Sequence, residues 1–151
     1  MKSQTIHKTG NLKFVCAVVT EAPVDELISL YKAAGWWNDL PSERENLPLL
    51  VKNSYCFVSV RTEEGRLIGM GRAISDGASD AYLQDIFIEK PYRKMGIGSR
   101  IVKMLTAHCR KRGISWIALI ANPGTTDFYR ELGFEVMPEY VPMILSVKPD
   151  N

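Results

Sequence analysis

Histidine and cysteine are scarce in this chain of 151 residues, which has two of the former and three of the latter. His7 and His108 lie far apart, and neither has a cysteine or a carboxylate at a spacing typical of metal ligands. The same scarcity argues against a Ser-His or Cys-His hydrolase. Cys16, Cys56 and Cys109 are odd in number and lie among apolar residues, which favours reduced core thiols over disulfides. We therefore expect no metal site and a reducing compartment.

Long apolar runs and a strong charge of one sign are also missing. No segment approaches the roughly 20 apolar residues that span a membrane, and residues 1–11 lack the apolar part of a signal peptide. The formal net charge of +2 is too small to indicate a nucleic-acid-binding surface. We expect a cytoplasmic protein with neither membrane nor nucleic acid as a partner. Its length predicts a single domain over residues 1–151, with a core at about 12–148.

Strand-like and helix-like segments alternate along the chain and predict an α+β fold, with helices covering a sheet. Glu63-Glu64-Gly65 is typical of a hairpin turn between two strands. The predicted strands cover residues 12–20, 54–61, 66–74, 81–88, 114–121, 134–136 and 141–147, and the predicted helices cover 23–35, 42–52, 96–112 and 125–132. The third helix should face the sheet with Ile97, Ile101, Val102, Leu105 and Cys109.

A basic, glycine-containing turn joins the strand that ends near Pro91 to the helix that begins near Gly96. The first N–H groups of a helix have no partner within it, and the dipole makes that end positive. Gly96 and Gly98 leave the backbone open to a ligand, while Arg93 and Lys94 add positive charge. The turn therefore favours binding of a pyrophosphate, although a tight turn with two solvated basic residues is the plain alternative.

Two other glycine-loop motifs do not fit this turn. A dinucleotide-binding fingerprint needs a third glycine where the chain has Ile101. A Walker-type phosphate loop needs Gly-Lys-Ser or Gly-Lys-Thr, which the chain lacks.

Two motifs resemble the signatures of the GNAT superfamily of N-acetyltransferases. The first is Arg93-x-x-Gly96-x-Gly98, and the second runs from Asn122 through Tyr129 to the Gly133-Phe134 pair. The resemblance implies the GNAT fold, a mostly antiparallel sheet of about seven strands with about four helices. In that fold the sheet splays open between its fourth and fifth strands, which here are residues 81–88 and 114–121. It also implies acetyl-CoA as cosubstrate.

The resemblance assigns coenzyme contacts to main-chain groups of the fourth strand, to the basic turn and to the second motif. Asn122 would hold the pantetheine arm or the acetyl carbonyl, although Pro123-Gly124 interrupts the usual run from this asparagine into the helix. The coenzyme residues are Phe87, Ile88, Arg93, Lys94, Met95, Gly96, Ile97, Gly98, Ser99, Asn122 and Phe128.

Acetyl transfer to an amine needs an acid for the leaving thiolate and a base for the ammonium group. Tyr129 suits the first role, because a phenol with a pKa of about 10 keeps its proton at neutral pH, and the family uses a tyrosine here. Packing beside Phe128 is its structural alternative. Asp85 is the first candidate base, because side chains alternate along a strand and Gln84 and Ile86 should point to the opposite face. The alternative is that Asp85 is a hydrogen-bonded structural acid. Asp76 is a weaker candidate.

The resemblance places one wall of the acceptor pocket at Tyr31, Trp36 and Trp37, whose aromatic faces suit a cationic amine. Core packing is the alternative for these rings. We expect a small-molecule primary amine as acceptor. A closed aromatic cavity would favour that acceptor, and an open groove across the sheet would favour a peptide. A non-catalytic acyl-CoA-binding module is a further alternative, and the apolar segment Pro138 to Ile144 suits either a core or a homodimer surface.

Overall fold

The computed structural model describes residues 5–9 and 12–145. They divide into two compact units, within Met1–Leu119 and within Ile120–Asn151. The single domain expected from chain length remains a prediction. Every helix in the described part of the chain is too short or too polar to span a bilayer.

The first unit contains a six-stranded sheet with its strands in chain order. The first five strands pair antiparallel, and the sixth pairs parallel to the fifth. The Glu63-Glu64-Gly65 hairpin is confirmed, because the N–H of Thr62 donates to the carbonyl of Arg66 and Gly65 has a φ of 89°. The strands are β1 (Thr5–Thr9), β2 (Leu12–Val18), β3 (Cys56–Thr62), β4 (Leu67–Ile74), β5 (Asp80–Ile88) and β6 (Trp116–Leu119).

Helices cover both faces of this sheet. On one face, α1 (Val24–Ala34) and α2 (Pro41–Asn53) bury Leu27, Leu30, Leu47 and Val51 in a cluster that includes Phe87 of β5. On the other face, the predicted apolar side of α3 (Ile97–Lys111) is confirmed, since all five of its residues are buried. The helices are α1 (Val24–Ala34), α2 (Pro41–Asn53), α3 (Ile97–Lys111) and, in the second unit, α4 (Thr126–Glu131), and a 3₁₀ turn covers Lys90–Tyr92.

The sheet opens between β5 and β6, as the resemblance implies. The two strands pair only from Asp80↔Trp116 to Leu83↔Leu119. Beyond Leu83, β5 continues for five residues to Ile88 without a strand on that side among the described residues. This part of β5 therefore has a free edge whose backbone groups are available to a ligand.

The strand predictions at the two chain ends are wrong. β1 lies in a segment from which no strand was predicted, and it pairs with β2. Residues 134–136 and 141–145 form no strand, and residues 146–147 of the second predicted strand lie outside the described residues. Pro138 and Pro142 have no backbone N–H for a sheet ladder, so the apolar composition of this segment is not sufficient for a strand. The described side chains from Val136 onward are mostly exposed, and the homodimer remains a prediction.

Candidate functional site

The turn before α3 has an unusual backbone that exposes the start of the helix. Lys94 and Gly96 both have left-handed conformations, with φ of 61° and 76°. Gly96 is the N-cap of α3, and a Cβ built there would have no atom within 4 Å. The first-turn N–H groups of Ile97, Gly98 and Ser99 have no acceptor inside the helix, and no acidic side chain lies in that turn. The arrangement can therefore accept an anionic group close to the backbone.

The side chain of Arg93 connects this turn to β5. Its Nε donates to the carbonyl oxygen of Ile88 at 2.9 Å, and its guanidinium lies over the ring of Phe87 at 5.4 Å from the centroid. Phe87 is buried, whereas Lys94 is exposed. The cationic turn and the free edge of β5 are thus held next to each other. Met95 is half-buried between Lys94 and Gly96.

Asp85 lies in a β-bulge on β5. The partners Met70↔Phe87 and Arg72↔Gln84 leave two residues of β5 opposite one residue of β4, and Asp85 takes a φ of 53°. The alternation predicted for this strand is consequently wrong for Gln84. Gln84 and Asp85 both contact Arg72, because the bulge places two successive side chains on the same face.

One carboxylate oxygen of Asp85 accepts two short hydrogen bonds. The Tyr31 hydroxyl donates to Oδ2 at 2.7 Å, and Arg72 Nε donates to the same atom at 2.6 Å. The side chains of Arg72 and Asp85 are only 16% and 21% exposed, so this ion pair is poorly screened by solvent. Asp85 therefore fastens α1 to the sheet through Tyr31.

The phenol of Tyr31 is held in its neutral form. Burial raises the pKa of Tyr31, and the adjacent Asp85 carboxylate raises it further because a phenolate would be repelled. Tyr31 therefore donates its proton in the hydrogen bond to Asp85 at any ordinary pH.

The two tryptophans that were predicted to line the acceptor pocket have different surroundings. Trp36 contacts the rings of Tyr31 and Phe87 edge-on, with centroids 6.3 and 5.9 Å away. Trp37 packs against the core on the α1 and α2 side, and its indole N–H donates to Asp39 at 2.8 Å. The structure thus brings Tyr31, Trp36 and Phe87 together.

Arg72 is the residue of this site that sequence reasoning missed. It is the only charged residue in β4, an otherwise apolar strand. Gly69 and Gly71 precede it, and glycine inside a strand often marks a bulge or a close approach. A Cβ at Gly71 would lie 2.5 Å from Ile101 of α3, which explains the glycine. The glycines could have indicated the bulge, and the single charge in an apolar strand could have indicated a buried partner for Arg72.

The second unit holds the other motif. Asn122 is exposed, and its carbonyl accepts the N–H and the hydroxyl of Thr125 in the turn before α4. The Tyr129 ring contacts Phe128 and Phe134, with centroids 4.9 and 5.9 Å away. Burial raises the pKa of Tyr129, so its hydroxyl keeps its proton at neutral pH.

Metal and thiol chemistry have no matching site in the described residues. No three histidine, cysteine or acidic side chains cluster there so as to hold a metal ion. All three cysteines are free and buried, and burial raises the pKa of Cys16 to about 11 and that of Cys56 to about 12. Burial also raises the pKa of Cys109, which opposes its use as a nucleophile.

Comparison with known proteins identifies the family. Residues 18–134 match the family described as the acetyltransferase (GNAT) family. A histone acetyltransferase of Glycine max is 33% identical over 129 residues, which are 79% of this chain and 54% of that protein. A chloroplastic serotonin N-acetyltransferase of Oryza sativa subsp. japonica is 35% identical over 83 residues, or 55% of this chain and 42% of that protein. The chain spans about half, or less, of the length of these relatives.

A solved structure supports the same fold. A GNAT family acetyltransferase from Streptococcus pneumoniae has a TM-score of 0.76 at 22% identity, covering 90% of this chain and 99% of that one. The family match covers residues 18–134, which include the opening of the sheet and the glycine turn before α3. The chain belongs to the GNAT family of acetyltransferases.

Proposed function

We propose that this protein transfers the acetyl group of acetyl-CoA to a primary amine by direct attack in a ternary complex. The observation that carries this proposal is the turn before α3, with its left-handed Gly96, its unpaired first-turn N–H groups and the open space in front of them. Membership of the GNAT family supplies the reaction class.

The residues of the first unit fit the coenzyme. N–H groups from Gly96 to Ser99 would bind the pyrophosphate, assisted by Arg93 and Lys94. The free edge of β5 near Phe87 and Ile88 would hydrogen-bond the pantetheine amides as a neighbouring strand would. When bound, acetyl-CoA supplies the thioester that the amine attacks.

Tyr129 is the proposed acid, and Asp85 the proposed base. The raised pKa of Tyr129 keeps the proton that the leaving thiolate requires. Asp85 has its Oδ2 occupied, while no hydrogen bond within the described residues reaches Oδ1, which leaves that oxygen for the ammonium group or for a water. Asp76 supports this choice less well, because its carboxylate binds the N–H groups of Ala78 and Ser79 in a turn.

The test combines calorimetric titration of acetyl-CoA with thiol release in the presence of amines and lysine-containing peptides. We expect binding, acceptor-dependent thiol release, and a fall in kcat of about 100-fold in Tyr129→Phe with the acetyl-CoA Kd nearly unchanged. Binding without turnover on any acceptor would instead favour the acyl-CoA-binding module. A wild-type protein that does not bind acetyl-CoA would overturn the coenzyme assignment.

A further inference from the structure

A groove between α2 and β4 lies outside the coenzyme residues. Its volume is about 330 Å³, and its lining residues are Asn46, Leu49, Leu50, Asn53, Arg72 and Ile74. The four α2 residues recur at helical spacing and share one face of the helix. The groove therefore has one wall from a helix and a floor from the sheet.

Several polar groups of this groove have no partner within the described residues. The side chains of Asn46 and Asn53 have no partner there, and neither does Nη1 of Arg72. An asparagine amide carries both donors and an acceptor, which match the C=O and N–H of a peptide bond. No carboxylate lines the groove, so it offers no charge partner to a small cationic amine.

Exposed apolar side chains extend the floor of the groove across three strands. Ile74 is paired with Tyr82, and Tyr82 contacts Trp116 at 5.4 Å between ring centroids. Leu49, Ile74, Tyr82 and Trp116 are 53%, 39%, 46% and 43% exposed. Two strand spacings cover about 10 Å, enough for about three extended residues. Such a floor suits the side chains of a peptide segment.

Arg72 connects the groove with the proposed chemistry. It lines the groove, and its Nε binds Asp85 on the strand whose free edge faces the coenzyme turn. The ion pair with Asp85 also offsets the charge of Arg72, so the groove does not require an acidic ligand to balance that charge. A chain lying in the groove would thus end beside Asp85.

We propose that this groove binds a peptide segment and that the acceptor amine belongs to a polypeptide. The inference rests on the proposed acetyl transfer and departs from the small-molecule acceptor expected from the sequence. The reason for the departure is that Trp36 and Trp37, which were to enclose a small amine, are engaged with Tyr31, Phe87 and Asp39. The open groove has the polar and apolar groups that a peptide requires.

The test compares thiol release from acetyl-CoA with three acceptor sets. These are nine-residue peptides with a central lysine and a blocked N-terminus, lysine-free peptides with a free N-terminus, and the small amines tyramine, serotonin and spermidine. We expect kcat/KM for one peptide set to exceed that for every small amine by at least about tenfold. The peptide set that reacts tells whether the acceptor is a lysine or an N-terminal amine.

A double variant, Asn46→Ala with Asn53→Ala, tests the groove itself. We expect kcat/KM for the peptides to fall by about tenfold, since two hydrogen bonds are lost, with the acetyl-CoA Kd unchanged. Glu45→Ala on the exposed part of α2 is the matched control and should leave both values unchanged. Equal losses in the control and the double variant would overturn the role of the groove.

A binding measurement separates this inference from the proposed reaction. The peptides are added to ¹⁵N-labelled protein, and the side-chain amide signals of Asn46 and Asn53 and the Nε signal of Arg72 are followed. Shifts at these groups in a protein without turnover would support peptide binding and reject the transferase. The absence of a shift at these groups would overturn peptide binding. Turnover of small amines alone would also overturn peptide binding, but it would leave the proposed acetyl transfer intact.

Discussion

The coenzyme turn follows Asp85 closely along the chain, but the turn and the cluster around Asp85 are built in different ways. The turn from Arg93 to Ser99 is contiguous and acts through backbone N–H groups. The Asp85 cluster joins side chains from α1, β4 and β5, and its members Tyr31 and Asp85 are 54 positions apart. A contiguous backbone site depends on local conformation, whereas the cluster depends on register and packing. Changes in the two regions should therefore affect different quantities.

The largest expected effect is the loss of coenzyme binding in Gly96→Glu. The side chain would enter the space before α3, place a negative charge there and strain the left-handed backbone. Calorimetry should show the acetyl-CoA Kd raised by about 100-fold or more.

Gly113→Glu is the matched control for that change. Gly113 also has a positive φ, 86°, and open space around its Cβ position, but it follows α3 at the opposite end from the coenzyme turn. Its substitution should destabilise the fold by a similar strain while leaving the Kd unchanged. If both variants lose binding equally, the effect is one of folding and the turn has no special role.

A smaller effect, on stability, is expected from Arg72→Met. The change leaves Asp85 partly buried without its cation, and we expect the free energy of unfolding in urea to fall by about 2 kcal/mol. The acetyl-CoA Kd should stay within about twofold, because the Arg72 side chain binds Asp85 and Gln84 and neither residue belongs to the coenzyme turn. Arg44→Met, which breaks an exposed pair with Asp25, should cost less than about 0.5 kcal/mol. An equal fall in the free energy of unfolding in Arg72→Met and Arg44→Met would show that the cluster does not contribute more than an exposed ion pair.

Tyr31→Phe removes a single donor from the same cluster. We expect the free energy of unfolding to fall by about 1 kcal/mol, because Asp85 retains its bond to Arg72. Tyr55→Phe is the control, since the Tyr55 hydroxyl is buried without a hydrogen-bond partner and its removal should not destabilise the protein. A larger loss in Tyr55→Phe than in Tyr31→Phe would refute this distinction.

The smallest expected effect concerns pH and the C-terminal end of α3. Burial lowers the pKa of His108, and the cationic Arg112 and Lys111 lower it further. A lowered folded pKa means that the unfolded chain binds the proton more tightly, so the contribution of His108 to stability is present above pH 6.5 and is lost as the pH falls. Urea unfolding midpoints at pH 7.5 and 5.5 should differ less in His108→Gln than in the wild type. An equal difference in the variant would exclude His108 as the cause.

Much of the first unit could be predicted from residue spacing. The apolar face of α3, the end of the first predicted helix at residue 35 and the hairpin at Gly65 depend on local periodicity or on single glycines, and all three are present. Prediction failed for β1 and for residues 134–136 and 141–145, where the presence of a partner strand decides the conformation. The bulge at Asp85 was missed because a strand pattern assumes strict alternation.

The sequence by itself determined the family, the glycine turn before α3 and the apolar face that α3 buries. These features follow from nearby residues, whose backbone preferences and spacing act over one or two turns of chain. Only the tertiary structure decided that Arg72 and Tyr31 share one oxygen of Asp85 and that α2 and β4 form an open groove. Those contacts join residues distant in sequence, and they depend on sheet register and on how the helices pack upon it.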